Sequence, residues 1–305
     1  CVGSDCNAFI NKISHFPRFF WLVYWVSILA AAYPISILIA KMLWKLGSES
    51  TKSKSKVTII SRKFFHILAV LLFGPPTFFA PQMMSLSYAV AAALLILLEK
   101  LRAVISIQQD VMNKTSNQDN ELYIPKDNFE MKNFYNVFFD EKDLKASKKG
   151  GFVISHISLV LGCALPLWVT EYFNSCHLDV NAQYQHNYGI SLRLLPFLGI
   201  NVLGIGDTVA AVLGSLFGRY RWPGRKRTLE GSFFMLVSMI MFVLFLELMY
   251  QKMDEEFSIL YLACYIFIVL IPLTLLESST TQIDNICLPM KGVCFSLILH
   301  LMYKP

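Results

Sequence analysis

The sequence predicts an all-α integral membrane protein, a polytopic helical bundle of about eight transmembrane spans. Hydrophobic residues make up 55% of the 305 residues and charged residues only 16%, a balance that soluble domains rarely reach. Apolar runs of roughly 17 to 25 residues recur along the chain, and a helix of that length crosses the hydrocarbon core with its backbone groups paired. Most of the chain is therefore expected to lie in lipid.

The spans are identified from the apolar runs in chain order. These cover residues 19–40, 64–80, 83–98, 152–170, 194–218, 232–250, 257–276 and about 285–303. The third run is short, and the fifth contains an aspartate.

Basic residues are distributed unevenly between the two sides that this span order creates. The loops 45–63, 100–150, 218–231 and 277–284 hold 20 Lys and Arg residues, whereas the segments on the other side hold 3. Because basic loops stay on the cytoplasmic side, the first side is predicted to be cytoplasmic. The glycosylation acceptor sequence at residues 113–115 then lies in the cytosol and is expected to be unmodified.

Composition also argues against several classes of function. The net charge of +6 follows from membrane orientation, so no nucleic acid partner is expected. None of the seven cysteines has the CxxC spacing of a zinc or redox site. Position 1 is not Met and no signal peptide is recognisable, so we expect the chain to be part of a longer protein.

Asp207 is the first residue that needs a functional explanation. An ionisable side chain at membrane depth costs roughly 2.5 to 3.5 kcal/mol on insertion scales, so a buried partner or a cation is expected nearby. A capping aspartate near the headgroups is the alternative. Gly204 and Gly206 weaken a continuous helix, and Asp207 with Thr208 would cap a new one. We expect a broken helix whose free N–H groups face an anion.

Small residues recur at every fourth position after this aspartate. They are Ala210, Gly214 and Gly218. This spacing places them on one helix face, where another helix can approach closely. We interpret this face as a packing surface.

A basic loop follows, in which a Pro-Gly turn has cations on both sides. It contains Arg219, Arg221, Trp222, Pro223, Gly224, Arg225, Lys226, Arg227 and Thr228. Phosphates bind to such clusters of charge, and an indole can stack on a base. The charges alone would also fit an ordinary basic loop on the cytoplasmic side. A carboxylate at Glu230, after the cations and before the next span, favours a binding site.

A second acidic group lies between the last two spans, in the stretch ESSTTQIDN. It contains Glu277, Asp284 and Asn285 without a neutralising Lys or Arg. Magnesium takes oxygen ligands and usually bridges substrate phosphates. Asp207, Glu230 and Asp284 are therefore the predicted metal ligands, although each one alone would also fit a solvated loop acid.

These motifs together resemble the dolichol kinase family. Residues 206–232, GDTVAAVLGSLFGRYRWPGRKRTLEGS, are similar to the nucleotide-binding signature of that family, and ESSTTQIDNICLP is similar to its carboxy-terminal motif. RKFFHIL, DEKD and SHISLVLGCALPLWV resemble further elements, so the resemblance covers most of the chain, from about residue 62 to residue 289. Arg227 departs from the family pattern, which has a second Lys there; this keeps the charge and changes its geometry.

The resemblance implies a CTP-dependent kinase that phosphorylates the lipid alcohol dolichol at the endoplasmic reticulum membrane, for protein glycosylation, with a divalent cation such as Mg²⁺. It also implies a division into residues 1–63, a first span with a basic loop, and residues 64–305, a catalytic membrane domain. Within this domain residues 100–150 are a polar cytoplasmic loop, and residues 204–232 bind the nucleotide.

The expected roles follow from the same resemblance. Asp207, Glu230 and Asp284 are expected to be catalytic and to hold the metal. The residues expected to bind the nucleotide are Ser215, Gly218, Arg219, Arg221, Trp222, Pro223, Gly224, Arg225, Lys226, Arg227, Thr228 and Glu230. His66 and His156 lie in apolar runs, where packing is the more frequent role, and stand as supporting candidates.

Two alternatives remain open from the sequence. Kinases of diacylglycerol or phytol and cytidylyltransferases that make CDP-diacylglycerol share parts of the pattern. A membrane transporter is the alternative from another class, because broken helices with an intramembrane aspartate also build transport sites. The polar groups, however, cluster at one face rather than at the midplane.

Overall fold

Helices make up almost all of the structure, as expected of apolar segments whose backbone groups must pair without water. The computed structural model describes residues 18–47, 51–115, 154–177, 190–225, 227–251, 259–280 and 284–302. Within these ranges the only β pairing is an isolated bridge between Arg221 and Thr228. The predicted all-α class is confirmed.

The first four helices are long and nearly uninterrupted. They are α1 (Arg18–Gly47), α2 (Thr51–Phe79), α3 (Pro81–Thr115) and α4 (Ser155–His177). Only a single residue separates α2 from α3, and the backbone N–H of Met84 donates to the carbonyl of Ala80 across this junction. The sequence predicted the apolar parts of α2 and α3 but not the polar extensions of both helices.

The fifth span contains four helical segments that follow one another closely. They are α5 (Ile190–Leu194), a 3₁₀ turn (Leu195–Phe197), a π-helical stretch (Ile200–Gly206) and α6 (Asp207–Phe217). The predicted break with a side-chain cap is wrong: Gly206 and Asp207 both have right-handed helical dihedrals, and no side chain caps α6. Instead of breaking, the helix widens to a π helix just before Asp207. Such π-helical stretches are frequent at functional sites.

The remaining spans complete the bundle. They are α7 (Leu229–Gln251), α8 (Ile259–Tyr265) joined through a second π-helical stretch (Ile266–Leu270) to α9 (Ile271–Ser279), and α10 (Asp284–Met302). Seven helices among the described residues are long and apolar enough to cross a membrane, and Lys63–Phe79 is a shorter apolar helix. This agrees with the expected number of spans.

The predicted packing face of α6 is confirmed by its contact with α7. A Cβ atom added to Gly231 would lie 3.0 Å from the carbonyl oxygen of Ala210 and 3.3 Å from the Cα atom of Gly214. The two helices therefore approach at backbone distance, as small residues allow. This crossing holds the start of α7 beside Ala210 and Gly214 of α6, and Gly206, just before α6, beside Met235 and Met239 further along α7.

The core lies where the fifth span is enclosed by α4, α7 and α10. Leu167, Leu195, Val202 and Met235 are fully buried there. Leucines and phenylalanines that point away from this core, such as Leu248 and Phe267, are more than half exposed. An apolar exterior of this kind fits contact with lipid rather than water.

Candidate active site

Asp207 lies at the first position of α6, directly after the π-helical stretch, and it has two basic neighbours. Its carboxylate accepts a short hydrogen bond from the Lys63 ammonium in an ion pair, and the Nε2 atom of His66 lies 3.4 Å from the same oxygen. The Lys63 side chain is 11% exposed and that of Asp207 22%. Asp207 thus has the buried partner that is expected for an ionisable side chain at membrane depth.

Lys63 and His66 reach Asp207 because they are three residues apart on α2. Side chains at this spacing share one face of a helix. The same face passes the fifth span closely, since a Cβ on Gly204 would contact the side chain of Val70. Gly204 therefore admits α2, and Gly206 admits α7, where a Cβ would meet Met235 and Met239; neither glycine ends a helix.

The loop between α6 and α7 forms a tight hairpin. The N–H of Arg225 donates to the carbonyl of Trp222 at 3.0 Å, and Gly224 has a φ of 68°. Proline at the second position and a left-handed glycine at the third are the requirements of a type II turn. The hairpin is closed by the N–H of Trp222, which donates to the carbonyl of Arg227 at 3.0 Å. The predicted Pro-Gly turn is confirmed.

Glu230 fixes the other end of this hairpin. Its carboxylate accepts the N–H groups of Arg219 at 2.9 Å and of Tyr220 at 3.0 Å. The hydroxyl of Thr228 accepts the N–H of Gly231 at 3.1 Å and so caps the start of α7. In this arrangement Glu230 holds the loop backbone in position.

Arg227 connects the loop to α9. Its Nε atom lies 3.0 Å from a carboxylate oxygen of Glu277, whose side chain is 7% exposed. The positive charge of Arg227 also acts on Asp207. Two acids and two cations, from α2, α6, the loop and α9, therefore form one charged cluster at this end of the bundle.

The structure brings some of the predicted site residues together and separates others. Asp207 and Arg227 belong to the charged cluster, whereas Arg221, Pro223, Gly224 and Arg225 are exposed on the hairpin. Ser215 donates to the carbonyl of Val212 within α6. Lys226 and the side chain of Asp284 lie outside the described residues.

The described residues contain only part of the predicted metal site, because the side chain of Asp284 lies outside them. Among the residues that the structure describes, no group of three or more His, Cys, Asp or Glu side chains is arranged to hold a metal ion. Asp207 pairs with Lys63, and Glu230 accepts the N–H groups of Arg219 and Tyr220. The absence of a metal-binding group does not extend to Asp284, whose side chain is not described. The three-carboxylate site stays a prediction.

Lys63 and Glu277 were not among the predicted site residues. Lys63 is part of the RKFFHIL element and Glu277 opens the ESSTTQIDN stretch, so both motifs contained the signal. What the sequence does not give is the pairing, since 144 residues separate Lys63 from Asp207. Asn285 of the same carboxy-terminal motif donates to the carbonyl of Ser155 and to the hydroxyl of Ser158, both at 3.3 Å.

Fold and site together define the class: a polytopic, all-α membrane protein with a charged site at one end of its bundle. The dolichol kinase of Homo sapiens is 29% identical over 273 residues, which cover 90% of this chain. Dolichol kinase EVAN of Arabidopsis thaliana is 30% identical over 250 residues, or 81% of the chain. The chain belongs to the dolichol kinase family.

These alignments cover less than half of the relatives' own length. The matched part is 44% of the human protein, 36% of the Arabidopsis protein and 39% of dolichol kinase sec59 of Schizosaccharomyces pombe, which is 25% identical over 240 residues. No family model and no solved structure matches the chain.

Proposed function

We propose that the protein transfers the terminal phosphoryl group of CTP to the hydroxyl of dolichol, giving dolichyl phosphate for glycosylation. The observation that carries this proposal is the charged cluster of Lys63, Asp207, Arg227 and Glu277 beside an ordered hairpin. Phosphoryl transfer depends mainly on positioning and on neutralisation of charge, and the cluster has groups for both. Membership of the dolichol kinase family supports the same reaction.

The hairpin supplies the proposed contacts for the donor. Exposed cations at Arg221 and Arg225 flank the type II turn, and Arg227 lies behind them at the buried end. The triphosphate would lie along these three arginines, with its terminal phosphate toward Arg227 and Lys63. CTP as the donor rests on the resemblance of this loop to the nucleotide-binding signature.

A divalent cation fits Asp207 better than it fits Glu230. Magnesium usually takes one or two carboxylates and completes its shell with phosphate oxygens and water. Asp207 is a carboxylate beside cations that would also bind the phosphates of the substrate. The carboxylate of Glu230 is instead occupied by backbone N–H groups. When bound, the cation would neutralise charge on the phosphates, with Asp207 and, by prediction, Asp284 as protein ligands.

The transfer itself exchanges one bond to phosphorus for another. The oxygen of the lipid alcohol bonds to the terminal phosphorus, and the bond from that phosphorus to the bridging oxygen breaks, so CDP leaves. The hydroxyl proton passes to a carboxylate of the site, for which Asp207 and Asp284 are the candidates. Lys63 and Arg227 hold positive charge where negative charge accumulates on the phosphoryl oxygens.

The test is transfer of label from γ-³²P CTP, and separately from γ-³²P ATP, to dolichol in membranes that contain the full-length protein. We expect CTP-dependent dolichyl phosphate, with a rate on the order of 100- to 1000-fold lower in Asp207→Asn. Asn is nearly isosteric with Asp, so comparable protein levels in the two membranes make charge the tested variable. No labelled lipid from intact protein would refute the proposal.

Product analysis separates the proposal from its nearest alternative. A kinase releases CDP, whereas a cytidylyltransferase releases pyrophosphate and leaves the γ label out of the lipid. Pyrophosphate with a CDP-lipid would therefore assign the same site to the other reaction.

A further inference from the structure

A pocket of about 630 Å³ lies beside the hairpin and outside the charged cluster. Its walls come from the hairpin tip, from α9 and from α10, with Trp222, Arg225, Leu275, Leu276, Ser279 and Phe295 among the lining residues. Neither the ion pairs described above nor the predicted metal ligands line it. The pocket needs an explanation of its own.

The wall formed by α9 is largely apolar and runs along the axis of that helix. Lining residues extend from Pro272 to Ser279, which is about 10 Å of helix at 1.5 Å per residue. Leu275, at the middle of this wall, is 51% exposed. Since α9 belongs to a membrane-spanning helix, an exposed leucine there faces lipid. The pocket is therefore accessible to a molecule dissolved in the bilayer.

The end of the pocket at the hairpin is polar. The hydroxyl of Ser278 donates to the carbonyl of Leu275 at 2.7 Å, and that of Ser279 donates to the carbonyl of Leu276 at 3.1 Å. A serine hydroxyl that donates to its own helix can still accept a hydrogen bond. An alcohol at this end would have acceptors for its proton and Arg225 close by.

The polar end is also linked to the charged cluster by one peptide bond and by one backbone hydrogen bond. Glu277, the partner of Arg227, precedes Ser278 in α9. Trp222, which lines the pocket, donates its backbone N–H to the carbonyl of Arg227. Ser278 thus follows directly after Glu277, the carboxylate that pairs with the proposed phosphate-binding residue Arg227.

We propose that this pocket binds the hydroxyl-bearing end of the polyprenol acceptor, a proposal that rests on the function proposed above. A long apolar wall that opens to lipid fits isoprene units, and the serine hydroxyls fit the alcohol. A nucleoside triphosphate fits the pocket poorly, because Arg225 is the one cation among its described lining residues. The pocket is then the acceptor site, and it lies directly beside the donor contacts of the hairpin.

The first test fills the pocket and compares the two substrates. In Leu275→Trp we expect the KM for dolichol to rise about tenfold or more, equivalent to the loss of about 1.4 kcal/mol, while the KM for CTP stays unchanged. Met290→Trp is the matched control, since Met290 is 52% exposed on α10 and does not line the pocket. An unchanged KM for dolichol, or a raised KM for CTP, would overturn the proposal.

The second test is independent of turnover and uses the wild-type protein. A short isoprenoid alcohol with a diazirine near its hydroxyl should label α9 or the Phe295 region of α10, and dolichol, but not CTP, should compete. Labelling confined to other helices would contradict the proposal that the polyprenol binds in this pocket. Wild-type membranes without CTP-dependent transfer would instead refute the proposed function, so the two failures are distinguishable.

Discussion

At the scale of single residues, the ion pair between Lys63 and Asp207 joins chemistry to packing. Both side chains are largely excluded from solvent, so each charge depends on the other. Removal of one partner from such a pair leaves an uncompensated charge, which costs more than removal of both. The pair therefore contributes to stability and to the site at once, and mutations can separate the two contributions.

We predict different outcomes for stability and activity when this pair is removed in steps. Lys63→Met should destabilise the protein by about 2 kcal/mol or more, because it removes the ammonium that pairs directly with the largely buried Asp207. The double variant Lys63→Met/Asp207→Asn should recover most of the lost thermal stability in detergent. Neither variant should regain phosphoryl transfer. If the Lys63→Met protein kept wild-type activity, Lys63 would have no part in the reaction.

The residue scale is also where the sequence was least informative. A buried partner for Asp207 and the Pro-Gly turn were predictable, because an intramembrane acid and a Pro-Gly pair are local signals. Lys63 and Glu277 were not, because their partners lie far away in the chain and become neighbours only when helices pack. Glu230 shows the same limit, since its contact with two backbone N–H groups depends on how the loop folds.

At the scale of elements, the two spans that carry the acids of the charged cluster share a feature. A π-helical stretch directly precedes α6, which begins at Asp207, and another directly precedes α9, which contains Glu277. A π turn inserts one extra residue and rotates everything that follows relative to an ideal helix. Apolar composition predicts that these segments are helical but not where the helix widens, so a break was predicted before Asp207 where the structure has a π-helical stretch.

The crossing of α6 and α7 gives a prediction at this scale. Gly231→Ala should destabilise the protein by about 1 to 3 kcal/mol, because the new methyl group would lie 2.9 Å from the Thr228 hydroxyl and 3.0 Å from the Ala210 carbonyl. Gly74→Ala is the control, since a Cβ there has no neighbour within 4 Å. Thermal unfolding of both variants in the same detergent measures the difference. Equal stabilities would mean that the crossing is looser than described.

At the scale of the whole molecule, the contacts gather the predicted basic loops at one end. Lys63 pairs with Asp207 there and Arg227 pairs with Glu277, and Asn285 contacts Ser155 near the start of α4. This arrangement agrees with the alternation of sides deduced from the distribution of Lys and Arg. The side that faces the cytoplasm remains a prediction from charge.

Protease protection in sealed endoplasmic reticulum vesicles tests that orientation. Trypsin added outside should cleave within residues 116–150, which carry several lysines and lie outside the described residues, and should leave two membrane-bound fragments. Asn113 should be unglycosylated, so endoglycosidase should not change the mobility of either fragment. Protection from trypsin together with a glycan on Asn113 would reverse the topology.

The sequence distance across the charged cluster has a consequence for biosynthesis. Lys63 enters the membrane long before Asp207 is translated, and Arg227 is translated before two further spans, the second of which carries Glu277. Until each later acid arrives, the earlier cation is an unneutralised charge within or beside the bilayer. We therefore expect the nascent chain to be recognised by membrane chaperones and by the degradation machinery until its final spans are inserted. A premature stop codon before residue 277 should produce a rapidly cleared protein rather than a weak enzyme.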